Sequence, residues 1–152
     1  MAEISYLDFI DLPFFNQDTE FPTSEVVLRI RKEIEEADGL WIFVPEYNSS
    51  YPGYVKNLID WMSRSFELNN YASGTALKGK KVTISGVAGK RAVAGSRAKL
   101  YELLQFAGMN VYKEDGEGFA VSGDSFATDL LTLVEDDKER LKKQGIGFVE
   151  FC

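Results

Sequence analysis

Histidine is absent from the 152 residues of this chain. Its absence removes the usual general base near neutral pH, the Ser–His and Cys–His nucleophile pairs and the commonest metal ligand. Cysteine occurs once, as Cys152, so no disulfide can form within the chain. Any chemistry must therefore rest on carboxylates, hydroxyls or a cofactor, and the sequence predicts neither a metal site nor a catalytic side chain.

Positive charge and long apolar runs are also scarce. The net charge is -7, so no basic face is available to neutralise the phosphates of a nucleic acid. No apolar run reaches the length of a membrane span, and no secretory signal is recognisable. We therefore expect a soluble, cytoplasmic protein with neither nucleic acid nor a membrane as partner. The length predicts a single domain over residues 1–152.

What the sequence does contain is an alternation of apolar strands and amphipathic helices. Leu40–Val44 is a run of five apolar residues and predicts a strand buried on both faces, and Val82–Ser85 predicts a second such strand beside it. A shorter strand is predicted at Asn110–Tyr112. This alternation is typical of an α/β fold with a parallel sheet and helices on both faces.

Four helices are predicted from apolar residues at helical spacing. The first is capped by Thr23 or Ser24 and ended by Gly39, and the second carries Pro52 in its first turn. The apolar stripes are Val26, Val27, Ile30, Ile34 and Ala37; Val55, Leu58, Ile59, Met62 and Phe66; Leu100, Leu103, Leu104 and Ala107; and Leu130, Leu131, Val134 and Leu141. The third helix spans Ser96–Phe106 and stops near Gly108. The fourth spans Asp129–Lys142 and ends at Gly145, after which Phe148–Phe151 pairs with the sheet or docks on it.

The most specific motif is the loop Pro45-Glu46-Tyr47-Asn48-Ser49-Ser50-Tyr51-Pro52-Gly53, which leaves the carboxyl end of the strand Leu40–Val44. Ligands of open α/β sheets bind at that end. Together with Ala37-Asp38-Gly39 before it and Lys56-Asn57-Leu58-Ile59-Asp60-Trp61 after it, the loop resembles the signature of the NAD(P)H-dependent FMN reductases, which are flavodoxin-like flavoenzymes. Weaker similarity runs through Lys80–Val87, so the resemblance covers most of the chain from about Ile4.

The resemblance implies that NADPH or NADH reduces a bound FMN and that a small-molecule electron acceptor, such as a quinone, then enters the same cleft. It implies ring contacts from Tyr47, backbone N–H donors at Asn48 and Ser49, and small residues beside the ring in Ser85–Gly89. Glu46 is expected to organise its loop. The alternative role for Tyr47 is to pack the loop against the rest of the protein. The alternative role for Asn48 and Ser49 is to form a turn. The cofactor-binding residues implied are Pro45, Glu46, Tyr47, Asn48, Ser49, Ser85, Gly86, Val87 and Gly89.

Other side chains carry open alternatives. Arg64, Lys90 and Arg91 are candidates to attract the 2′-phosphate of NADPH, because a guanidinium or ammonium suits that charge. Lys56 and Asp60 are spaced to form an i, i+4 ion pair. Trp61 belongs either to the core or to a subunit contact, and we prefer the contact because its helix borders the subunit contact in members of the family. The resemblance also implies a homodimer or homotetramer.

The opening strand and the Ser/Arg-containing FMN-phosphate loop of this family have no counterpart in the sequence. The chain resembles the family from its second strand onward, and the resemblance places that strand at Glu3–Asp8. We therefore expect the flavodoxin-like sheet to be incomplete at the N-terminus, with Ile4–Leu7 not paired to Leu40–Val44. The 152 residues should bind FMN weakly and with little preference over riboflavin. The alternative function is a flavin-free, truncated remnant that acts as an oligomeric interaction module.

Overall fold

The computed structural model describes residues 2–121, 123–128 and 130–152. Its order of elements confirms the predicted alternation of strands and helices. The helices are α1 (Glu25–Glu36), α2 (Gly53–Met62), α3 (Ala94–Phe106), α4 (Gly123–Thr128) and α5 (Glu135–Phe151). The strands are β1 (Gly39–Phe43), β2 (Lys81–Ala88), β3 (Asn110–Val111) and β4 (Glu117–Ala120).

Strand β2 lies at the centre of a parallel sheet. Strand β1 pairs with one edge of it, with Leu40 opposite Val82 and Phe43 opposite Ser85. Strands β3 and β4 pair in parallel with the amino-terminal and carboxyl-terminal parts of β2, and both lie on the edge opposite β1. The predicted adjacency and parallel direction of the two main strands are therefore confirmed.

The predicted burial of Leu40–Val44 on both faces is wrong, although Val82–Ser85 is buried as expected. Phe43 is 62% exposed, and Trp41 and Ile42 are half-buried. The reason is position in the sheet, because β1 pairs only with β2 among the described residues and so lies at an edge. An apolar run indicates a strand, but it does not say which neighbours will cover that strand.

The side chains of β2 alternate between two layers of the molecule. Val82 and Ile84 belong to the core that α1, α2 and α3 form on one face of the sheet. Thr83 and Ser85 point to the other face, where both hydrogen-bond to Gln144 of α5. Helices therefore cover both faces of β2, as predicted.

Helix α1 begins as predicted and ends earlier than predicted. Ser24 is the N-cap, and its side chain accepts a hydrogen bond from the Val27 amide. The helix ends at Glu36, where the Lys80 ammonium donates to the carbonyl of Ala37 at 2.6 Å. Gly39 is instead the first residue of β1, and a Cβ there would meet the Phe148 ring. This glycine therefore permits close packing against α5.

Helix α5 differs most from its predicted form. It begins at Glu135 and continues through Gly145 to Phe151, whereas the predicted start, Asp129, lies outside the described residues. Residues Leu130, Leu131 and Val134 precede the helix and are exposed instead of facing inward.

Glycines within α5 allow a close approach to the sheet. A Cβ at Gly145 would lie 3.2 Å from the Trp41 ring, and one at Gly147 would overlap the Tyr112 hydroxyl. The sequence predicts a helix end at Gly145, but its role is to make room for the aromatic side chains of the sheet. The predicted tail Phe148–Phe151 forms the last turn of the helix, in which Phe148 packs against Trp41.

The predicted strand at Glu3–Asp8 is not formed. Ile4 and Tyr6 are 79% and 95% exposed, and no described residue pairs with this segment. A strand needs a neighbour for its backbone hydrogen bonds, and none of the described strands lies beside it. As predicted, Ile4–Leu7 does not pair with β1.

Helix α2 anchors residues 13–15, which follow the unpaired segment Ile4–Leu7 in the chain. Pro52 is the N-cap rather than a residue of the first turn, and Phe66 lies beyond the helix on the edge of the core. The Trp61 indole donates to the carbonyl of Pro13 at 2.8 Å, and its ring packs edge-on against Phe15.

Trp61 is only 2% exposed, so the preferred assignment to a subunit contact is wrong. The predicted ion pair of Lys56 and Asp60 is confirmed on the same helix. None of the described helices has the length and apolar character needed to cross a membrane.

Candidate functional site

Two loops meet at the carboxyl ends of β1 and β2. The Val44 amide donates to the Ser85 carbonyl at 2.8 Å, which extends the parallel ladder beyond β1. Gly86 lies directly against this junction, where a Cβ would overlap the Val44 carbonyl oxygen and the Val93 side chain. Close packing at this glycine therefore brings residues 45–50 and residues 86–93 together.

The loop after β1 is a tight hairpin. Tyr47 and Ser50 exchange two backbone hydrogen bonds, at 2.9 and 3.0 Å. Between them, Asn48 and Ser49 have φ angles of 52° and 59°. Two successive left-handed residues are typical of a type I′ turn, a conformation that asparagine tolerates better than most residues. The turn presents the exposed side chains of Tyr47, Asn48 and Ser49 at the carboxyl edge of the sheet.

Glu46 fixes this hairpin to the start of α3. Its carboxylate accepts a hydrogen bond from the Ser96 amide at 2.9 Å, and the Ser96 hydroxyl donates to the Pro45 carbonyl at 2.9 Å. A carboxylate beside the amino end of a helix also interacts favourably with the helix dipole. Glu46 thus organises its loop, as expected from the sequence.

Replacing Glu46 with alanine is expected to lower the free energy of unfolding by about 1 kcal/mol, as for the loss of a helix cap. Glu46→Gln retains an acceptor for the Ser96 amide and should lose only part of that stability. Urea unfolding followed by circular dichroism measures both changes. The matched control is Glu102→Ala, because Glu102 is an exposed carboxylate within α3, the helix whose start Glu46 contacts. Equal losses for Glu46→Ala and Glu102→Ala would contradict the capping role.

Ser85 is turned away from the two loops. Its hydroxyl donates to the side-chain oxygen of Gln144 at 2.7 Å and accepts from the Trp41 indole at 2.9 Å. The residue is buried, and its carbonyl already receives the Val44 amide. Ser85 therefore fixes the end of β2 through its hydrogen bonds to Gln144 and Trp41. The sequence predicted only a small residue beside a ligand at this position.

The loop after β2 has a fixed base. Val93 is buried, and Arg97 donates to the carbonyls of Ala92, Asp115 and Gly116. Towards the tip, Val87 is partly exposed, and a Cβ at Gly89 would meet nothing within 4 Å. Open space thus lies beside the tip of this loop.

An apolar cavity of about 260 Å³ lies between the ends of the strands and the segment before α5. Four of the predicted residues line it, namely Pro45, Ser85, Gly86 and Val87. The remaining lining residues are Phe43, Val44, Phe119, Leu131, Leu133 and Leu141. Glu46, Tyr47, Asn48, Ser49 and Gly89 are not among its lining residues.

The part of this cavity that β4 contributes was not predicted from the sequence. Phe119 is the one large apolar side chain of this four-residue strand, and strand periodicity cannot be recognised from a single residue.

Arg64 lies away from these loops. It follows the carboxyl end of α2, whereas the hairpin precedes the amino end of that helix, and ten helical residues span about 15 Å. Its guanidinium donates two hydrogen bonds, at 2.8 and 3.0 Å, to the buried carboxylate of Glu20. This hydrogen bonding raises the pKa of Arg64 above its usual value. Arg64 is therefore engaged in a structural ion pair with Glu20, and its role at a cofactor phosphate stays a prediction.

Comparison with known proteins gives consistent matches. A family model described as NADPH-dependent FMN reductase matches residues 1–121. An NAD(P)H-dependent FMN reductase of Pseudomonas aeruginosa is 33% identical over 141 residues, covering 90% of this chain and 70% of the relative. A 2-hydroxy-1,4-benzoquinone reductase of Burkholderia sp is 47% identical over 60 residues, covering 38% of this chain and 33% of the relative.

A solved structure supports the same grouping. The flavoenzyme NAD(P)H:(acceptor) oxidoreductase FerB from Paracoccus denitrificans superposes with a TM-score of 0.76 at 32% sequence identity. That match covers 97% of this chain and 79% of the other. The fold is accordingly flavodoxin-like. The chain spans only about a third of the length of some relatives that it matches, including the Burkholderia enzyme and a potato NAD(P)H:quinone oxidoreductase.

Proposed function

The chain belongs to the NADPH-dependent FMN reductase family, and we propose that it is an oxidoreductase that uses FMN to pass electrons from NADPH or NADH to a small acceptor. The observation that carries the proposal is the junction of the two loops at Gly86, beside an apolar cavity at the carboxyl ends of the strands. Ligands of open α/β sheets bind at these ends.

The residues at this junction are chemically suited to bind the isoalloxazine ring of FMN. Val87 and Pro45 offer apolar surface at the cavity, and the bare backbone of Gly89 leaves room for a flat ring. The amides of Asn48 and Ser49 donate no hydrogen bond to other described residues, so they are available to the polar edge of a ring. The flavin, when bound, supplies the hydride chemistry.

The protein residues would bind and orient the flavin and would exclude water from it. Tyr47 would cover the ring from the hairpin, and Glu46 would keep the hairpin in place through the Ser96 amide. Ser85 would support the site indirectly, by fixing the end of β2 through its hydrogen bond to Gln144. No general base is required of the protein, in agreement with the lack of histidine.

Relatives suggest the class of acceptor. Those named as quinone reductases include the Burkholderia protein and one from Escherichia coli, which is 43% identical over 58 residues. We therefore propose a quinone-type acceptor. The proposal also includes a cytoplasmic location and a homodimeric or homotetrameric state, and the exposed aromatic residues Phe43 and Tyr54 offer surface for self-association. The family match does not favour a flavin-free interaction module.

Flavin titration tests the proposal. Tyr47→Ala should weaken the binding of FMN about 3- to 10-fold through the loss of a stacked ring. Gly89→Val should weaken it about 10-fold or more by filling the open space, with little change in stability. Riboflavin should bind about as well as FMN to these 152 residues, because the proposed contacts are all to the ring.

The control for this titration is Tyr71→Ala, since Tyr71 is an exposed tyrosine of the short 3-10 helix Tyr71–Ser73 and belongs to neither loop. Flavin fluorescence quenching measures each affinity. If Tyr47→Ala and Gly89→Val both bind FMN like the unmodified chain, the proposed ring site is wrong.

A further inference from the structure

We propose that the cavity beside Arg64 is a second binding site, and that it takes a small organic carboxylate. The cavity has a volume of about 300 Å³ and lies beyond the carboxyl end of α2, whereas the hairpin of the proposed ring site precedes the amino end. None of its lining residues belongs to either loop of the ring site. The inference therefore goes beyond the proposed reductase function and does not depend on it.

The first observation is that Arg64 has one unengaged nitrogen in a fixed side chain. Its Nε and Nη2 atoms donate to the two carboxylate oxygens of Glu20 at 2.8 and 3.0 Å. Its guanidinium also lies over the Phe15 ring, 5.5 Å from the ring centre. The third nitrogen, Nη1, donates no hydrogen bond to a described residue. The ion pair therefore orients Arg64 and leaves the N–H groups of Nη1 free for an acceptor.

The second observation is an excess of positive charge around Glu20. Arg31 is only 3% exposed, its Nε has no hydrogen-bond partner among the described residues, and its Nη2 reaches the Trp61 carbonyl only at 3.5 Å. Burial lowers the pKa of Arg31, while the charge of Glu20 raises it and that of Arg64 lowers it. Glu35 also raises the pKa of Arg31, but Glu35 is exposed to solvent.

One buried carboxylate therefore serves two arginines, because Glu20 is the one buried carboxylate among the described residues. Charges removed from water are costly unless they are paired. The cluster of Arg31, Arg64 and Glu20 keeps one unmatched positive charge, so a single negative charge bound beside Arg64 would be stabilised.

Other side chains of the cavity suit an organic carboxylate. The carboxamides of Gln17 and Asn69 line the cavity and form no hydrogen bond with described residues, so each can donate to a carboxylate oxygen. Phe21 and Leu68 add apolar surface to the lining. A carboxylate joined to a small apolar group matches this combination of donors and apolar wall.

Both walls of the cavity are held by local hydrogen bonds. One wall is the 3-10 helix Gln17–Thr19, where the Asn16 side chain accepts from the Asp18 amide at 2.9 Å. The other wall belongs to the loop after α2, which is closed by a hydrogen bond from the Phe66 amide to the Gly74 carbonyl at 3.1 Å. A cavity formed in advance loses less conformational entropy when a ligand binds.

The charges of the lining favour a monoanion over a dianion. Asp18 and Glu20 both line the cavity, so a second negative charge on the ligand would meet repulsion from two carboxylates. A single negative charge is matched by the unpaired positive charge of the arginines. Asp18 is exposed, and solvent and salt screen its charge more than they screen the buried cluster. A carboxylate is therefore expected to bind more tightly than a phosphate dianion.

Titration with benzoate, followed by NMR of the backbone amides, tests the site. Benzamide is the neutral analogue of the same shape, and inorganic phosphate is the dianion. The unmodified chain should bind benzoate about 10-fold more tightly than either comparison probe. Arg64→Gln should weaken benzoate binding about 10-fold, because it removes the positive charge and the Nη1 donors.

A second variant changes the affinity in the opposite direction. Asp18→Asn removes a like charge from the cavity and should strengthen benzoate binding about 2- to 3-fold. Asp18 is exposed, so this variant keeps the buried ion pair and decides the matter even if Arg64→Gln does not fold.

The matched controls repeat each charge change outside the cavity. Arg29→Gln removes another arginine that is paired with carboxylates, and Asp38→Asn removes an exposed aspartate. Neither residue lines the cavity, so both variants should bind benzoate like the unmodified chain. Tyr47→Ala, which alters the proposed ring site, should also leave benzoate binding unchanged.

Several results would overturn the proposal. Equal binding of benzoate and benzamide would show that charge is not recognised, and an equal effect of Asp18→Asn and Asp38→Asn would show that net charge alone is responsible. A loss of benzoate binding in Tyr47→Ala would place the probe in the ring site instead. Binding of phosphate that depends on Arg64 and exceeds that of benzoate would overturn the assignment to a carboxylate.

Discussion

Replacing Gly86 with alanine is expected to lower the free energy of unfolding by about 2–4 kcal/mol and to abolish flavin binding. The added methyl group would overlap the carbonyl oxygen of Val44 and the side chain of Val93. Val44 continues the ladder between β1 and β2, so relief of the overlap requires the two loops to separate. The same change therefore affects both stability and the proposed ring site. Urea unfolding and flavin fluorescence measure the two effects on one variant.

Gly53→Ala is the matched control for this prediction. Gly53 is the first residue of α2, and a Cβ there would meet nothing within 4 Å. Alanine should be neutral there or stabilise the helix by up to about 1 kcal/mol, because it restricts the unfolded chain more than glycine does. A Gly86→Ala variant as stable as Gly53→Ala would mean that the loop junction is not closely packed.

The elements predicted most closely are those whose pattern is local. Helix α3 was predicted from Ser96 to Phe106 and spans Ala94–Phe106, because its apolar stripe and the stop at Gly108 are both written in the sequence. The pairing of β1 with β2 was also predicted. What failed for β1 was its burial, since the exposure of Phe43 depends on how many strands flank it.

Glycines explain two further errors in the fold. Gly39 and Gly145 were both interpreted as helix ends, which is the commonest meaning of glycine after an amphipathic stretch. In the structure they face Phe148 and Trp41 respectively, where a side chain would not fit. A sequence reveals the conformational freedom of glycine, whereas its use for close packing depends on a partner distant along the chain.

The candidate site was predicted in part. The resemblance to a family identified both loops, and the anchoring role of Glu46 was expected. The engagement of Ser85 could not be predicted, because its partner Gln144 is 59 residues away in a helix whose bounds were themselves mispredicted. The ion pair of Arg64 with Glu20, 44 residues away, was hidden for the same reason.

Replacing Gln144 with leucine is expected to lower the free energy of unfolding by about 2–4 kcal/mol. The Gln144 amide group lies fully buried under the sheet, where it accepts from the Ser85 hydroxyl and donates to the Thr83 hydroxyl and the Ile84 carbonyl, all within 2.8 Å. Leucine has a similar volume but offers none of these hydrogen bonds, so buried polar groups lose a partner. Thermal and urea unfolding measure the loss.

The isosteric change Gln144→Glu should make the free energy of unfolding depend on pH. An ionised carboxylate can accept from Ser85 but cannot donate to the Ile84 carbonyl, and burial disfavours its charge. The pKa of this introduced carboxyl should therefore be higher in the folded than in the unfolded chain, so the variant is most stable below the unfolded value of about 4.3 and loses stability as the pH rises. Gln105→Leu is the control, because Gln105 bonds only the Tyr101 hydroxyl at the surface and should change stability by about 0.5 kcal/mol or less. If Gln144→Leu costs no more than this control, the polar contacts of α5 do not hold the end of β2, and the support ascribed to Ser85 is lost with them.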